Sequence, residues 1–290
     1  MISISMLKAI VKEYTASPQL IRVPEPQLIM DEAENVEAFD AAGTGNGPIT
    51  PIYLFVTSHV AQVISGCEKV LDLGCGSGRL LTQHALANPR ISFTAIDLST
   101  EMLGRADEHL RENHIQNVDL RVQDMTNLKD FTSQTFDAVI SSLALHHLPD
   151  ERSLEACFKE IRRVLKPNGR IFLYDYCLPK IPGTIDYLLS RTSSDQPKVL
   201  NEDALNSMKA AFPYAYFKQL IRENFPDNIE TYTTALCSFM TILKSPSQKL
   251  SHDQEKHFHS IYQSLNSKNR QIYQDVAQLF KLNGLKSPIR

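Results

Sequence analysis

The run Val70-Leu71-Asp72-Leu73-Gly74-Cys75-Gly76-Ser77-Gly78-Arg79 decides the fold of this chain. A short apolar strand ends in three alternating glycines and opens directly onto a helical pattern. Glycine there lets the backbone turn sharply and lets a ligand come close where a Cβ would intrude. The spacing is DxGxGxG, counted from Asp72. The dinucleotide fingerprint GxGxxG would place its third glycine at position 79, which is arginine here.

Working outward, apolar runs at 69–73, 92–97, 118–122, 136–141 and 170–176 alternate with helical patterns at 79–87, 100–113 and 150–165. Short, nearly all-apolar strands that alternate with helices predict a parallel sheet covered on both faces. Between Asp124 and Phe136 the helical signal is weak and amounts to one turn. Towards the N-terminus the pattern is helical. MISISMLKAIVKEYT places Lys8 and Lys12 inside an apolar stripe and has no small-residue cleavage site, so an amphipathic helix is expected there, not a signal peptide. Asp31 and Glu34 form a capping box for a helix through Phe39, ended by Gly43, Gly45 and Gly47. Thr50 as N-cap and Pro51 in the first turn start another helix through Ile64, stopped by Gly66.

Beyond Tyr176, a loop rich in Pro, Ser and Gly is expected from Leu178 to about Leu200, with Asn201 capping a helix to Asn224. Two strand-like runs at 229–234 and 237–243 are joined by almost nothing and must pair antiparallel. Ser251 and Gln254 form a second capping box. The stripe Phe258, Ile261, Tyr262, Leu265 follows, is broken at Asn266–Ser267, and resumes with Ile272, Val276 and Leu279 up to Gly284. A packing face explains this stripe better than a partner site does.

The 290 residues are 42% hydrophobic and 22% charged, with a formal net charge of −3, enough for one large globular domain. No basic run supplies the electrostatic footprint of a nucleic-acid binder. No stretch approaches the roughly 20 apolar residues of a membrane span. Five scattered cysteines (Cys67, Cys75, Cys157, Cys177, Cys237) show neither disulfide nor zinc spacing. A cytoplasmic, metal-free protein is expected.

The acidic residue and glycine triplet resemble motif I of the class I S-adenosylmethionine-dependent methyltransferases, and further pieces follow in family order over 69–176. Ala95-Ile96-Asp97-Leu98-Ser99 ends the second strand with a carboxylate about 20 residues past the glycines, where one can accept hydrogen bonds from ribose hydroxyls. Gln123-Asp124-Met125 ends the third strand. Phe136–Ser141 runs into Ser142-Leu143-Ala144-Leu145-His146-His147-Leu148, and Leu165-Lys166-Pro167-Asn168-Gly169-Arg170 precedes the fifth strand.

The resemblance implies a doubly wound, Rossmann-like α/β fold with a seven-stranded mixed sheet of order 3-2-1-4-5-7-6. It implies S-adenosyl-L-methionine as cofactor and S-adenosyl-L-homocysteine as product. Gly74, Cys75, Gly76 and Gly78 would then line the methionine part, with Asp72 holding its amino end. Asp97 would take the ribose, Leu98 and Met102 the adenine face, and Asp124 with Met125 the adenine edge; Ser141 completes the expected set. Tyr53 either closes over the methionine part or packs in the core.

Three residues are catalytic candidates. His146 and His147 lie just past the fourth strand, at the carboxyl edge where open α/β sheets place ligands, and an imidazole can take a proton from an acceptor. His146 is the favoured base; the bland alternative buries one ring and exposes the other. Asp175 and Tyr176 end the fifth strand, and alternation lets only one of them face the cofactor. Residues 1–66 and 177–225 are expected to cap a core of 67–250, with 251–290 as a helical appendage. Methylation of an O, N or C nucleophile on a small molecule is the expected function. The alternatives are a protein or tRNA substrate, or a non-catalytic cofactor-binding subunit. No oligomeric state is implied.

Overall fold

The computed structural model describes residues 11–26, 37, 40–190, 198–225, 228–235 and 237–289. Around the glycine run, five strands lie parallel: β1 (Lys69–Leu73), β2 (Ser92–Asp97), β3 (Val118–Val122), β4 (Phe136–Ser142) and β5 (Leu165–Tyr176). Two more, β6 (Glu230–Thr233) and β7 (Met240–Lys244), join antiparallel and complete a seven-stranded sheet of order β3-β2-β1-β4-β5-β7-β6. The order reverses between β1 and β4, and that is where a ligand crevice forms at the carboxyl ends of the strands.

Nine labelled helices surround the sheet: α1 (Thr50–Val63), α2 (Arg79–Ala87), α3 (Thr100–Glu112), α4 (Glu151–Val164), α5 (Pro182–Ser190), α6 (Lys198–Ala210), α7 (Tyr214–Asn224), α8 (His252–Ser264) and α9 (Ser267–Lys281). Strand alternation feeds two cores. Val70, Phe93, Ala138, Ile140 and Phe172 pack with α1, α2, α8 and α9 on one face. Leu71, Leu73, Val139 and Leu173 pack with α4 and α7 on the other. Phe280 of α9 stacks on Phe55 of α1 at 5.5 Å between centroids, so the C-terminal helices bury into the main core. Among the described residues no helix is long and apolar enough to cross a membrane.

Several local expectations are corrected. Thr50 is the first helical residue of α1, not its cap; Ile49 holds that position without a side-chain bond. The proposed loop after Leu178 contains α5, which Pro182 and Gly183 disguise in the sequence. Asn201 lies inside α6, and the helix expected to reach Asn224 breaks at 211–213, where Pro213 starts α7. Residues 124–135 make turns but no helix. Of residues 11–26 only 11–15 are helical, and 17–25 runs without helix or strand across the carboxyl edge; residues 37 and 40–42 are helical, so the helix expected to end at Phe39 continues to Ala42. The capping box at Asp31 and the helix start at 1–10 lie outside the described residues. The box at Ser251 and Gln254 forms as expected, with both reciprocal hydrogen bonds.

Candidate active site

Where β1 leaves the sheet, Gly74, Gly76 and Gly78 all take positive φ, at 68°, 53° and 75°. The amides of Gly74 and Cys75 both donate to the Ile96 carbonyl, at 2.9 and 3.0 Å, tying the loop to the end of β2. The Asp97 carboxylate accepts from Gly76 N and from Ser99 N, both at 2.9 Å. Ser99 in turn caps α3 through Met102 N. One carboxylate thus aligns the glycine loop with the next helix start.

These elements wall a cavity of about 790 Å³, large enough for a nucleoside ligand together with a second small molecule. Tyr53, Asp72, Gly74, Cys75, Gly76, Asp97, Leu98, Met102, Asp124, Met125, His146 and His147 all line it. Of the residues expected at the site, three are placed elsewhere. Gly78 faces α3, where a Cβ would stand 2.6 Å from that of Ala106, so it serves close helix packing. Ser141 donates to the Leu73 carbonyl at 2.9 Å and belongs to the β1–β4 seam. Its neighbour Ser142 lines the cavity instead, with a buried hydroxyl that has no hydrogen-bond partner among the described residues. Asp175 lies behind the wall, its carboxylate against His146.

Asp72 is only 5% exposed. Burial and the nearby Asp97 push its carboxyl from 3.8 up to about 7. No cation among the described residues offsets that cost. Asp124, at the end of β3, accepts from Thr126 N and Oγ1 at 2.7 and 2.8 Å, which fixes its carboxylate at the cavity edge. Arg79 reaches out of the loop to grip Asp40 with two bonds of 2.8 and 2.7 Å, and His109 Nε2 meets the same carboxylate at 2.7 Å. Tyr53 packs beside this clamp, 7% exposed, its ring against Gly43; it is at once a core residue and part of the cavity wall.

At the opposite end, Asp175 is 1% exposed and saturated with donors. Its Oδ2 accepts from Ala144 N and Leu145 N, at 3.1 and 2.7 Å. Its Oδ1 accepts from Tyr176 N at 2.7 Å and meets His146 Nδ1 at 2.6 Å. This places a proton on Nδ1 and leaves Nε2 as the basic nitrogen. Burial opposes charge on His146, but Asp175, Glu25 and Asp203 outweigh it and hold the imidazole above its ordinary value. Burial and the His146 ring, 4.2 Å away, push His147 well below. The pair is therefore split into a basic ring and a neutral one.

Four contributors were invisible in the sequence. Arg22 donates to the carbonyls of His146, Leu148, Pro149 and Ala210 and stacks on Phe212, fixing the turn that carries His146. Glu25 accepts from Ser207 Oγ at 2.9 Å beside the two histidines. Asp203 and Ser207 reach the cavity from α6. The only sequence signal for the strap is Pro24-Glu25-Pro26, a charge held between two prolines in extended chain. Glu25, His146 and His147 each bring one potential ligand atom within 4.8 Å of the others and are the described residues able to share a metal ion.

Residues 64–266 match the family model described as a methyltransferase domain. A ubiquinone biosynthesis O-methyltransferase of Xanthomonas oryzae pv. oryzae (strain PXO99A) is 40% identical over 133 residues, 44% of this chain and 53% of that protein. The chain spans about half the length of such curated relatives. A SAM-dependent methyltransferase from Aquifex aeolicus shares the fold with a TM-score of 0.51 at 16% identity, over 75% of this chain and 100% of that one. The plantazolicin methyltransferase, solved in complex with SAH, gives a TM-score of 0.54 at 13% identity, over 82% and 94% of the two chains.

Proposed function

This chain belongs to the methyltransferase-domain family, and we propose that it moves a methyl group from S-adenosylmethionine to a hydroxyl oxygen of a small-molecule acceptor, with His146 as general base. The observation that carries this is the Asp175–His146 pair in the wall of the cavity whose other end is the glycine loop. The name of the curated relatives, which specifies O-methylation, supports oxygen as the acceptor atom.

The cavity residues fit the cofactor. Gly76 leaves open space where a Cβ would stand, and the uncompensated Asp72 carboxylate suits an ammonium group. On this reading Asp97 takes the ribose, Leu98 and Met102 the adenine face and Asp124 its amino edge, and that all four line the cavity supports it. S-adenosylmethionine supplies an electrophilic methyl on a sulfonium that departs as a neutral thioether. The chain's own work is alignment, exclusion of water and removal of one proton. Holding donor and acceptor in line contributes about 7–11 kcal/mol in favourable cases. With the cofactor held at the glycine loop, His146 Nε2 would receive the hydroxyl proton as the acceptor oxygen takes the methyl group. Asp175, kept in place by three backbone amides, orients the ring and stabilises the imidazolium.

The test is conversion of S-adenosylmethionine to S-adenosylhomocysteine by the purified chain with phenolic acceptors, before and after dialysis against EDTA. Acceptor-dependent turnover that survives the chelator is expected. Loss that a divalent cation restores would reassign Glu25, His146 and His147 as ligands and remove the base.

Asp72 gives the cofactor affinity a pH dependence. In the free chain its carboxyl titrates near 7 and not near 3.8. Its proton is therefore retained on folding, and the free chain loses stability as pH rises from the lower value to the higher. A bound ammonium prefers the ionised form, so below pH 7 binding must expel a proton. Affinity for S-adenosylhomocysteine falls towards tenfold per pH unit as the solution is acidified below about 7. Calorimetry across that range should show proton release in the wild type and a flat profile in Asp72→Asn.

A further inference from the structure

We propose that the acceptor is an apolar molecule bearing a neutral hydroxyl, and that the charge pattern of the cavity rejects acceptors carrying a carboxylate or phosphate. The proposal rests on the methyl-transfer function above and concerns the half of the cavity that the cofactor residues leave over.

That half is built mainly from α5 and α6. Leu200, Ala204 and Met208 recur at i, i+4 and i+8, so α6 lays one continuous aliphatic stripe along the cavity. Leu188 and Leu189 of α5 extend it. From the far side, Ile272, Val276 and Leu279 of α9 face the same space, while Tyr273 and Phe280 of that helix fill the core. Against this wall stands a small polar patch, in which His146 and His147 face Asp203 and Ser207. A ligand that satisfies both must be amphiphilic, with its oxygen at His146 and its body along the leucines.

The sign of the charge is equally one-sided. In that half Asp203 and Asp275 line the cavity, against Lys268, while Arg79 stands with Asp72, Asp97 and Asp124 at the cofactor end. Arg79 is committed to Asp40. Arg22, the cation beside the histidines, directs its donors to four backbone carbonyls and lies on the Phe212 ring. Glu25 stands next to it, bonded to Ser207. Asp203 is half-buried with no hydrogen bond or ion pair of its own among the described residues, and burial raises its carboxyl above the ordinary range. An anionic acceptor at His146 would meet Asp203 and Glu25 in an apolar enclosure, with Lys268 exposed and His146 in the neutral form that accepts a proton, a mismatch that costs several kcal/mol per buried charge. A neutral hydroxyl gives up its proton only at the step itself, to His146.

The experiment is calorimetric binding to the chain saturated with S-adenosylhomocysteine, using 4-ethylphenol, 4-butylphenol, 4-octylphenol, 4-octylbenzoate and 4-octylbenzylamine. Affinity among the phenols should rise by about fourfold per methylene until the stripe is covered. 4-Octylbenzoate should bind at least about 100-fold more weakly than 4-octylphenol. Asp203→Asn should narrow that gap by roughly tenfold while leaving S-adenosylhomocysteine binding unchanged, which also certifies that the variant is folded. Met208→Asp should remove the gain from the longer alkyl chains. A flat alkyl series, or tighter binding of the benzoate or the benzylamine than of the phenol, would overturn the acceptor class while the cofactor function stands. Failure of S-adenosylhomocysteine itself to bind would overturn the function, and the acceptor class with it.

Discussion

Replacing His146 with glutamine lowers turnover by about 10²–10⁴-fold and leaves S-adenosylhomocysteine affinity within about twofold. Glutamine can still donate to Asp175 but cannot accept a proton, so the substitution separates chemistry from packing. The size of the effect follows from how firmly the base is held. Its ring is 2% exposed, its Nδ1 is locked 2.6 Å from a carboxylate, and that carboxylate is fixed by the amides of Ala144, Leu145 and Tyr176. His147→Gln is the control. Its imidazole lies well below its ordinary value, and its ring packs on His146, so its loss should cost less than about tenfold. Single-turnover measurements at saturating cofactor distinguish the two. Equal losses from both histidines would mean that the ring pair contributes shape and no proton transfer.

Two glycines in one loop should fail in different ways. Gly78→Ala forces a left-handed φ of 75° on alanine and drives its Cβ to 2.6 Å from Ala106 Cβ and 2.8 Å from Ala106 Cα. The second contact is backbone and cannot rotate away. Left-handed strain of about 1–2 kcal/mol and overpacking of about 1–3 kcal/mol together predict a loss of about 2–5 kcal/mol in folding stability. Gly76→Ala carries the strain, at φ 53°, but its Cβ meets open space in the cavity. It should keep most of the stability and lose about tenfold or more in cofactor affinity. Urea unfolding and calorimetry on the two variants read the two losses separately. A Gly76 variant less stable than the Gly78 variant would show that the loop is a plain tight turn.

The sheet was legible because its signals are local. Strands at 69–73, 92–97 and 118–122 stand where the apolar runs put them, the first two closed by short, strongly punctuated connections. The glycine-loop end of the cavity was legible for the same reason: Asp72, Asp97 and Asp124 stand at the ends of consecutive strands, and parallel register brings strand ends to one edge. What failed depends on parity and on distance along the chain. Ser141 and Ser142 differ by one position, and Leu143, at φ 56°, ends the alternation just beyond them. Asp175 is separated from His146 by 29 residues, and only the β4–β5 register sets its carboxylate beneath that imidazole. Arg22 and Glu25 act on residues more than a hundred positions away, so no periodicity could announce them. In α5, Pro182 and Gly183 read as a loop because proline in a first helical turn and proline in a turn look alike in sequence.

On the proposed function, the glycine-loop cavity holds S-adenosylmethionine and orients it through Asp97. Calorimetric titration with S-adenosylhomocysteine, on the wild type and on Asp97→Ala, tests it most directly. Saturable binding at one site, weakened about 10–100-fold by the substitution, is predicted from the loss of hydrogen bonds to a charged group. No binding by the wild type, or equal binding by both chains, would contradict it.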